Sequence, residues 1–136
     1  MKKSELEERN RLFARLDSLD KMLERLQSEA TRASQPNPHL SRSMNARRSC
    51  KADLITNITL PALNREREEL ISALEESDPA VNELAEMIQD PIAKVAFTCH
   101  HVNGLTWPQT AEVLGDHVPD DTLKHRCNRA LARILE

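Results

Sequence analysis

Residues 104–135 read GLTWPQTAEVLGDHVPDDTLKHRCNRALARIL, and the punctuation of this stretch decides the fold. Gly104 can take the left-handed conformation that ends a helix, and Thr106 with Gln109 has the spacing of a capping box that opens the next. Trp107, Ala111, Val113 and Leu114 are available for burial on that short helix, and Gly115 closes it. A turn from Asp116 to Pro119 leads to a last helix, from about Asp120 to Leu135. Leu123, Cys127, Ala130, Leu131 and Ile134 share one face of it at helical spacing, so that face should pack inward. With one helix ahead of them, two helices joined by a tight connection make a tri-helical helix-turn-helix.

The other side of the last helix carries the candidate chemistry. At about 100° per residue, Asp121, Thr122, His125, Asn128, Arg129 and Ala132 lie opposite the apolar face, flanked by Lys124, Arg126 and Arg133. In such motifs the second helix meets base edges and its basic flanks meet phosphates. Thr122, His125 and Asn128 are therefore candidates for base contact, and Lys124, Arg126, Arg129 and Arg133 for phosphates. A structural three-helix bundle with a solvated face has the same pattern. Asp120 and Asp121 complement the helix dipole but repel DNA, so the pattern alone leaves both readings open.

Working upstream, Asp90-Pro91 opens a helix over about 91–102, with Ile92, Val95, Ala96 and Cys99 on one face. Ser77-Asp78-Pro79 repeats that punctuation, with Asp78 as N-cap and Pro79 in the first turn. A short helix with Val81, Leu84 and Ile88 inward should follow. Residues 44–76 carry a broken apolar stripe: Leu54, Ile55, Ile58, Ala62, Leu63, Leu70, Ile71 and Leu74. Pro61 must kink that helix or start a second one.

Residues 4–30 form one amphipathic helix about 40 Å long, with Ser4 and Glu7 at capping-box spacing. Leu12, Leu16, Leu19, Leu23 and Leu26 repeat at 4-3-4-3 spacing, the seam of a coiled coil. Three heptads are marginal alone. The seam therefore packs on its own chain, as an antiparallel hairpin, or on a second copy. Residues 31–52, TRASQPNPHLSRSMNARRSCKA, hold no acidic residue. Residues 31–42 read as a mobile loop. Arg42, Arg47, Arg48 and Lys51 are candidate phosphate contacts, with a solvated linker as the plain alternative.

These elements predict an all-α protein. A long N-terminal helix or helical hairpin, coiled-coil-like, spans 1–76 with a basic linker at 31–52. A helix-turn-helix domain spans 77–136. Composition agrees, since only 2 of 136 residues are Gly and Leu, Ala, Glu and Arg dominate. Charge is uneven. Residues 1–60 hold twelve Lys and Arg against eight Asp and Glu, a net of +4; 61–90 net −7 and 91–136 net zero. A neutral DNA-reading unit needs help from elsewhere in the chain or from a partner.

Cys50, Cys99 and Cys127 form no CxxC pair, and no signal peptide precedes them, which predicts a cytoplasmic location. No segment approaches a membrane span. Cys99, His100, His101, His117, His125 and Cys127 match no standard zinc spacing, so no metal or other cofactor is expected. There is no Gly-rich phosphate loop or nucleophile motif, so no catalysis is expected. The carboxylates of 66–90 read as a solvated helix face.

Gly104, Leu105, Thr106, Trp107, Ala111, Leu114 and Gly115, then Leu123, Arg129, Ala130 and Leu131, carry a resemblance. This stretch resembles the promoter-reading C-terminal domain of bacterial sigma factors and, more closely, phage-encoded regulators of the RinA and ArpU type. The upstream part is also similar to prophage members of that group, including their I-x-D-P step, here Ile88-Gln89-Asp90-Pro91. The turn GDHVPDD is longer and more acidic than the usual sigma turn, and Arg126 stands where sigma factors often place an apolar residue. The resemblance implies a transcription regulator of phage genes, an activator, working in the host bacterial cytoplasm. It implies double-stranded DNA as partner, with host RNA polymerase beside it; the leucine seam of residues 4–30 adds the expectation of a homodimer. Two other functions fit the residues: a small terminase-like packaging subunit, and a helical adaptor without DNA affinity that engages a protein through its acidic segment.

Overall fold

The computed structural model describes residues 1–115 and 118–135, and every regular element in it is a helix. Helix α1 is Lys3–Ser34. Helix α2 runs over 42–87 without interruption, as Arg42–Leu54, a π-helical turn at Ile55–Thr59, and Leu60–Met87. Helix α3 covers 91–102, as Pro91–Phe97 continued by a π-helical turn at Thr98–Val102. Helices α4, Trp107–Val113, and α5, Asp120–Ile134, complete the chain. Asp116 and His117, in the expected turn, lie outside the described residues, as does Glu136. The protein is all-α, as its sequence predicts. Contacts divide it into two compact units, residues 15–72 and residues 1–14 with 73–136.

The 15–72 unit is a helical hairpin. Leu19 of the leucine seam is fully buried, and Ala30, Ala52 and Ile55 are buried too. Antiparallel order is marked by ion pairs: Arg15–Glu66 at 2.7 Å, Arg67–Asp20 at 2.6 Å and Lys51–Glu29. The expected loop over 31–42 is shorter, because α1 continues to Ser34. Its remainder is tied down. The Asn37 amide donates to Asn45 Oδ1 and Asn45 Nδ2 returns to the Asn37 carbonyl, at 3.0 and 3.1 Å. The Ser41 hydroxyl caps α2 by accepting from the Met44 amide.

Pro61 neither ends nor restarts α2. A proline has no N–H for the carbonyl four residues back. The helix widens just ahead of it, with the Leu60 amide reaching the Ile55 carbonyl. Leu54 and Ile58, expected in the packed stripe, are 52% and 62% exposed.

The second unit holds the main core. Leu6, Val81, Leu84, Ala85, Ile88, Ala93, Ala96 and Phe97 pack with Ala111, Leu123, Cys127 and Leu131. Several local expectations give way to it. Helix α2 passes straight through Pro79, because Leu74 before it and Val81, Leu84 and Ala85 after it are all buried along one helix. Asp78 is therefore not an N-cap; its carboxylate pairs with Arg9 at 2.6 Å. Ser4 lies inside the first turn of α1, and it is Glu5 that accepts from the Lys2 amide. On α3 the buried face is Ala93, Ala96 and Phe97, with Val95 39% exposed. On α4 Thr110 is fully buried and Val113 is 60% exposed. The Thr110 hydroxyl can afford that burial by donating to the Thr106 carbonyl at 2.9 Å.

Arg9, 2% exposed, joins α1 to this core. Its guanidinium donates to the carbonyls of His101 at 2.7 Å, Val102 at 2.9 Å and Leu74 at 2.8 Å, and to Ser77 Oγ and Asp78 Oδ1. Nearby, α3 closes on Gly104 at φ 75°. A Cβ there would lie 2.6 Å from Phe13 Cγ, well inside contact distance. Gly104→Ala should therefore destabilise this unit by about 2–4 kcal/mol, from left-handed strain plus the clash. Phe13→Ala in the same chain should recover part of the loss. Equal and additive losses in chemical denaturation would count against the contact.

Candidate nucleic-acid interface

The polar side of α5 is presented by what its apolar side does. Leu123 and Cys127 are fully buried and Leu131 nearly so, fixing the helix about its axis. Thr122, Lys124, His125, Asn128, Arg129 and Arg133 are all exposed. Thr122, His125, Asn128, Arg129 and Ala132 line one shallow, open surface. The sequence-predicted base-contact residues are thus brought together on a single face. Asp120 and Asp121 occupy the first turn, where the amides carry positive potential.

Arg126 is turned elsewhere. Its Nε donates to Asp90 Oδ2 at 2.5 Å and its Nη2 to Oδ1 at 3.0 Å, a two-pronged pair. The same carboxylate caps α3 by accepting from the Ile92 amide at 3.1 Å. Arg126 is thereby held inside the unit, not offered to phosphates as expected. The arginine hydrogen bonds hold the Asp90 carboxyl below its ordinary range. Among the described residues Lys124, Arg129 and Arg133 take part in no ion pair.

The basic residues of the 15–72 unit divide in the same way. Arg48 Nη2 donates to the Arg32 carbonyl at 2.9 Å, at the end of α1, and Lys51 pairs with Glu29. Arg42 and Arg47 are exposed on the first turns of α2.

His100 and His101, which match no zinc spacing in the sequence, instead form an aromatic cluster with Phe97 and Trp107. His100 stacks on Trp107 with ring centroids 4.0 Å apart, and His101 packs against Phe97 at 4.9 Å. His100 Nδ1 lies 2.7 Å from the Leu105 carbonyl, so it is the protonated nitrogen. Trp107 is half-buried, with its ring against His100. His101 is buried, and neither of its ring nitrogens has a partner among the described residues. Burial, with His100 and Arg9 adding positive charge, lowers its pKa to about 3. Burial pushes the Cys127 thiol up to about 12 and raises Cys99 too, which leaves both as poor nucleophiles or metal ligands.

Among the described residues no group of His, Cys, Asp or Glu is placed to hold a metal ion, and no helix is long and apolar enough to cross a membrane. The chain matches no protein-family description, no curated protein and no solved structure.

Two outcomes follow from these environments. The unfolded chain protonates His101 near pH 6.5, whereas the folded chain resists until about pH 3. Stability should be full above about pH 6.5 and fall as the pH drops below it. Loss of the depressed Asp90 carboxylate adds to the fall below about pH 4. His101→Phe should flatten the upper part of that decline in thermal melts; an unchanged slope would exclude His101 as its source. Separately, a bulky thiol reagent should label only Cys50 in the native protein, since Cys99 and Cys127 are buried. Native labelling of all three would contradict the packing of α3 and α5.

Proposed function

We propose that this protein is a phage-type DNA-binding transcription regulator, an activator, that reads double-stranded DNA through α5. The observation that supports this most directly is the open surface of Thr122, His125, Asn128 and Arg129, backed by a buried Leu123, Cys127 and Leu131. A rigid helix with one apolar side fixed and one hydrogen-bonding side free is what major-groove reading requires. In this reading Thr122, His125 and Asn128 meet base edges, and Lys124, Arg129 and Arg133 meet phosphates. The resemblance to sigma-like phage regulators supplies the class, with host RNA polymerase as second partner and the host bacterial cytoplasm as location. A homodimer through residues 4–30 would bring two reading helices to paired half-sites.

Charge bears on how the binding works. Residues 1–14 with 73–136 contain nine Lys and Arg against fourteen Asp and Glu, a net of −5. That unit repels DNA at long range, so its own affinity is low and depends on a correct sequence or on a partner. Residues 15–72 contain ten against eight, a net of +2, and Arg42 and Arg47 there can add phosphate contacts. The acidic balance favours one second reading, an adaptor that binds protein through the carboxylates of 66–90 and leaves DNA alone.

Fluorescence anisotropy on duplexes tiled from the DNA flanking the gene, with and without RNA polymerase, separates the two. Phosphate contacts by Lys124, Arg129 and Arg133 predict a log–log salt slope of about −3, at roughly 0.9 per phosphate. Arg129→Glu should fold normally and bind about tenfold or more weakly. No binding under either condition would end the DNA reading and leave the adaptor.

A further inference from the structure

We infer that an acidic groove on the 1–14 and 73–136 unit takes the basic face of α2 from a second copy of this chain. The inference rests on the self-association in the reading above and names the surfaces that carry it. The groove lies between the first turns of α1 and the later part of α2. Leu12, Ala73 and Ala80 supply apolar floor, and Glu5, Glu8 and Glu76 line it with carboxylates. All three glutamates are exposed, and the one ion pair among them, Glu8 with Arg11, is itself exposed.

The complementary surface is on the 15–72 unit. Met44, Arg47, Lys51, Leu54 and Ile58 follow one another at 3-4-3-4 spacing along α2, a stripe of the kind that packs against another helix. Met44 is 45% exposed, Leu54 52% and Ile58 62%. Apolar side chains at both ends with two cations between them match a groove of apolar floor and acidic rim. In the single chain both surfaces are open to solvent: Arg47 takes part in no ion pair among the described residues, and Lys51, though paired with Glu29, stays exposed. Leu19, at the centre of the leucine seam, is fully buried in the hairpin, and within the first turns of α1 Leu6 and Arg9 are buried, so Glu5 and Glu8 on the exposed side of those turns are what a neighbour can reach.

A contact between two different patches is heterologous. Used reciprocally it closes a pair; used in one direction it builds a chain. Either way the opposite charges give it a strong dependence on salt.

The test is sedimentation velocity of the full chain, without DNA, over a concentration series at about 50 mM and about 500 mM salt. The wild type should self-associate at low salt and dissociate at high salt. Glu5→Lys/Glu8→Lys and Arg47→Glu/Lys51→Glu should each weaken association about tenfold or more while keeping the wild-type helix signal. The chain carrying all four changes should associate again, because the charges are exchanged and not lost. Leu54→Ser/Ile58→Ser, which alters only exposed apolar positions, should weaken association with its salt dependence intact. A monomer at every low-salt concentration overturns the proposal. So does an oligomer that survives both reversals, or a fourfold variant that stays apart. Failure of DNA binding in the anisotropy experiment would not change any of these outcomes.

Discussion

One buried cation holds the larger unit together. Arg9 brings a full positive charge into a core that tolerates charge only when every donor is met. It is met: three backbone carbonyls, one hydroxyl and one carboxylate receive its N–H groups. Two of those carbonyls, His101 and Val102, close α3, where the last turn of a helix leaves acceptors without amides and a negative pole. Arg9 is thus a C-terminal cap supplied by a different helix, and its charge is opposed by Asp78. Removing Asp78 would leave the buried Arg9 without its counter-charge, a costly change in comparable sites, whereas Asp78, 45% exposed, would be met by solvent if Arg9 were removed.

Asp90 does for α5 what Arg9 does for α3. One carboxylate caps the start of α3 and grips Arg126 with both oxygens. Helix α5 is therefore held about its axis by an apolar face on one side and an ion pair on its flank. Its remaining surface is rigid without being occupied. The candidate phosphate contacts narrow from four cations to three, and Arg126, in the second turn, becomes architecture.

The sequence makes local features legible and hides those that depend on distant partners. The helix ends at Gly104 and Gly115 and the reciprocal capping by Thr106 and Gln109 are readable because a few adjacent residues determine them. The buried face of α5 is readable because its period is regular. Pro79 misleads because the rule for proline is local, whereas the helix is carried through it by burial on both sides. Arg126 misleads because a helical wheel does not contain Asp90, 36 residues away. Arg9 leaves a trace that can be found: stepping the leucine seam back three residues from Leu12 lands on it, which marks a polar residue in a core position. His101 leaves none, since nothing nearby in the chain announces that it is enclosed. The candidate face on α5 is thus mostly legible, and the supports that orient it are mostly not.

The wide turn at Ile55–Thr59 has a consequence for the length of the chain itself. A π-helical turn accommodates one residue more than the regular turn it replaces. Deleting one residue there would let α2 relax to an ordinary turn while its two flanks keep nearly their present rotation, whereas the same deletion in a regular stretch would rotate everything beyond it by about 100°. Lys51 precedes the turn and finds Glu29; Arg67 follows it and finds Asp20. A helix shortened within the turn could keep both partners; one shortened elsewhere between them could keep one and not both. The spacing of charges on α1 therefore acts as a ruler for α2, and a single deletion in this turn is the kind that the ruler tolerates.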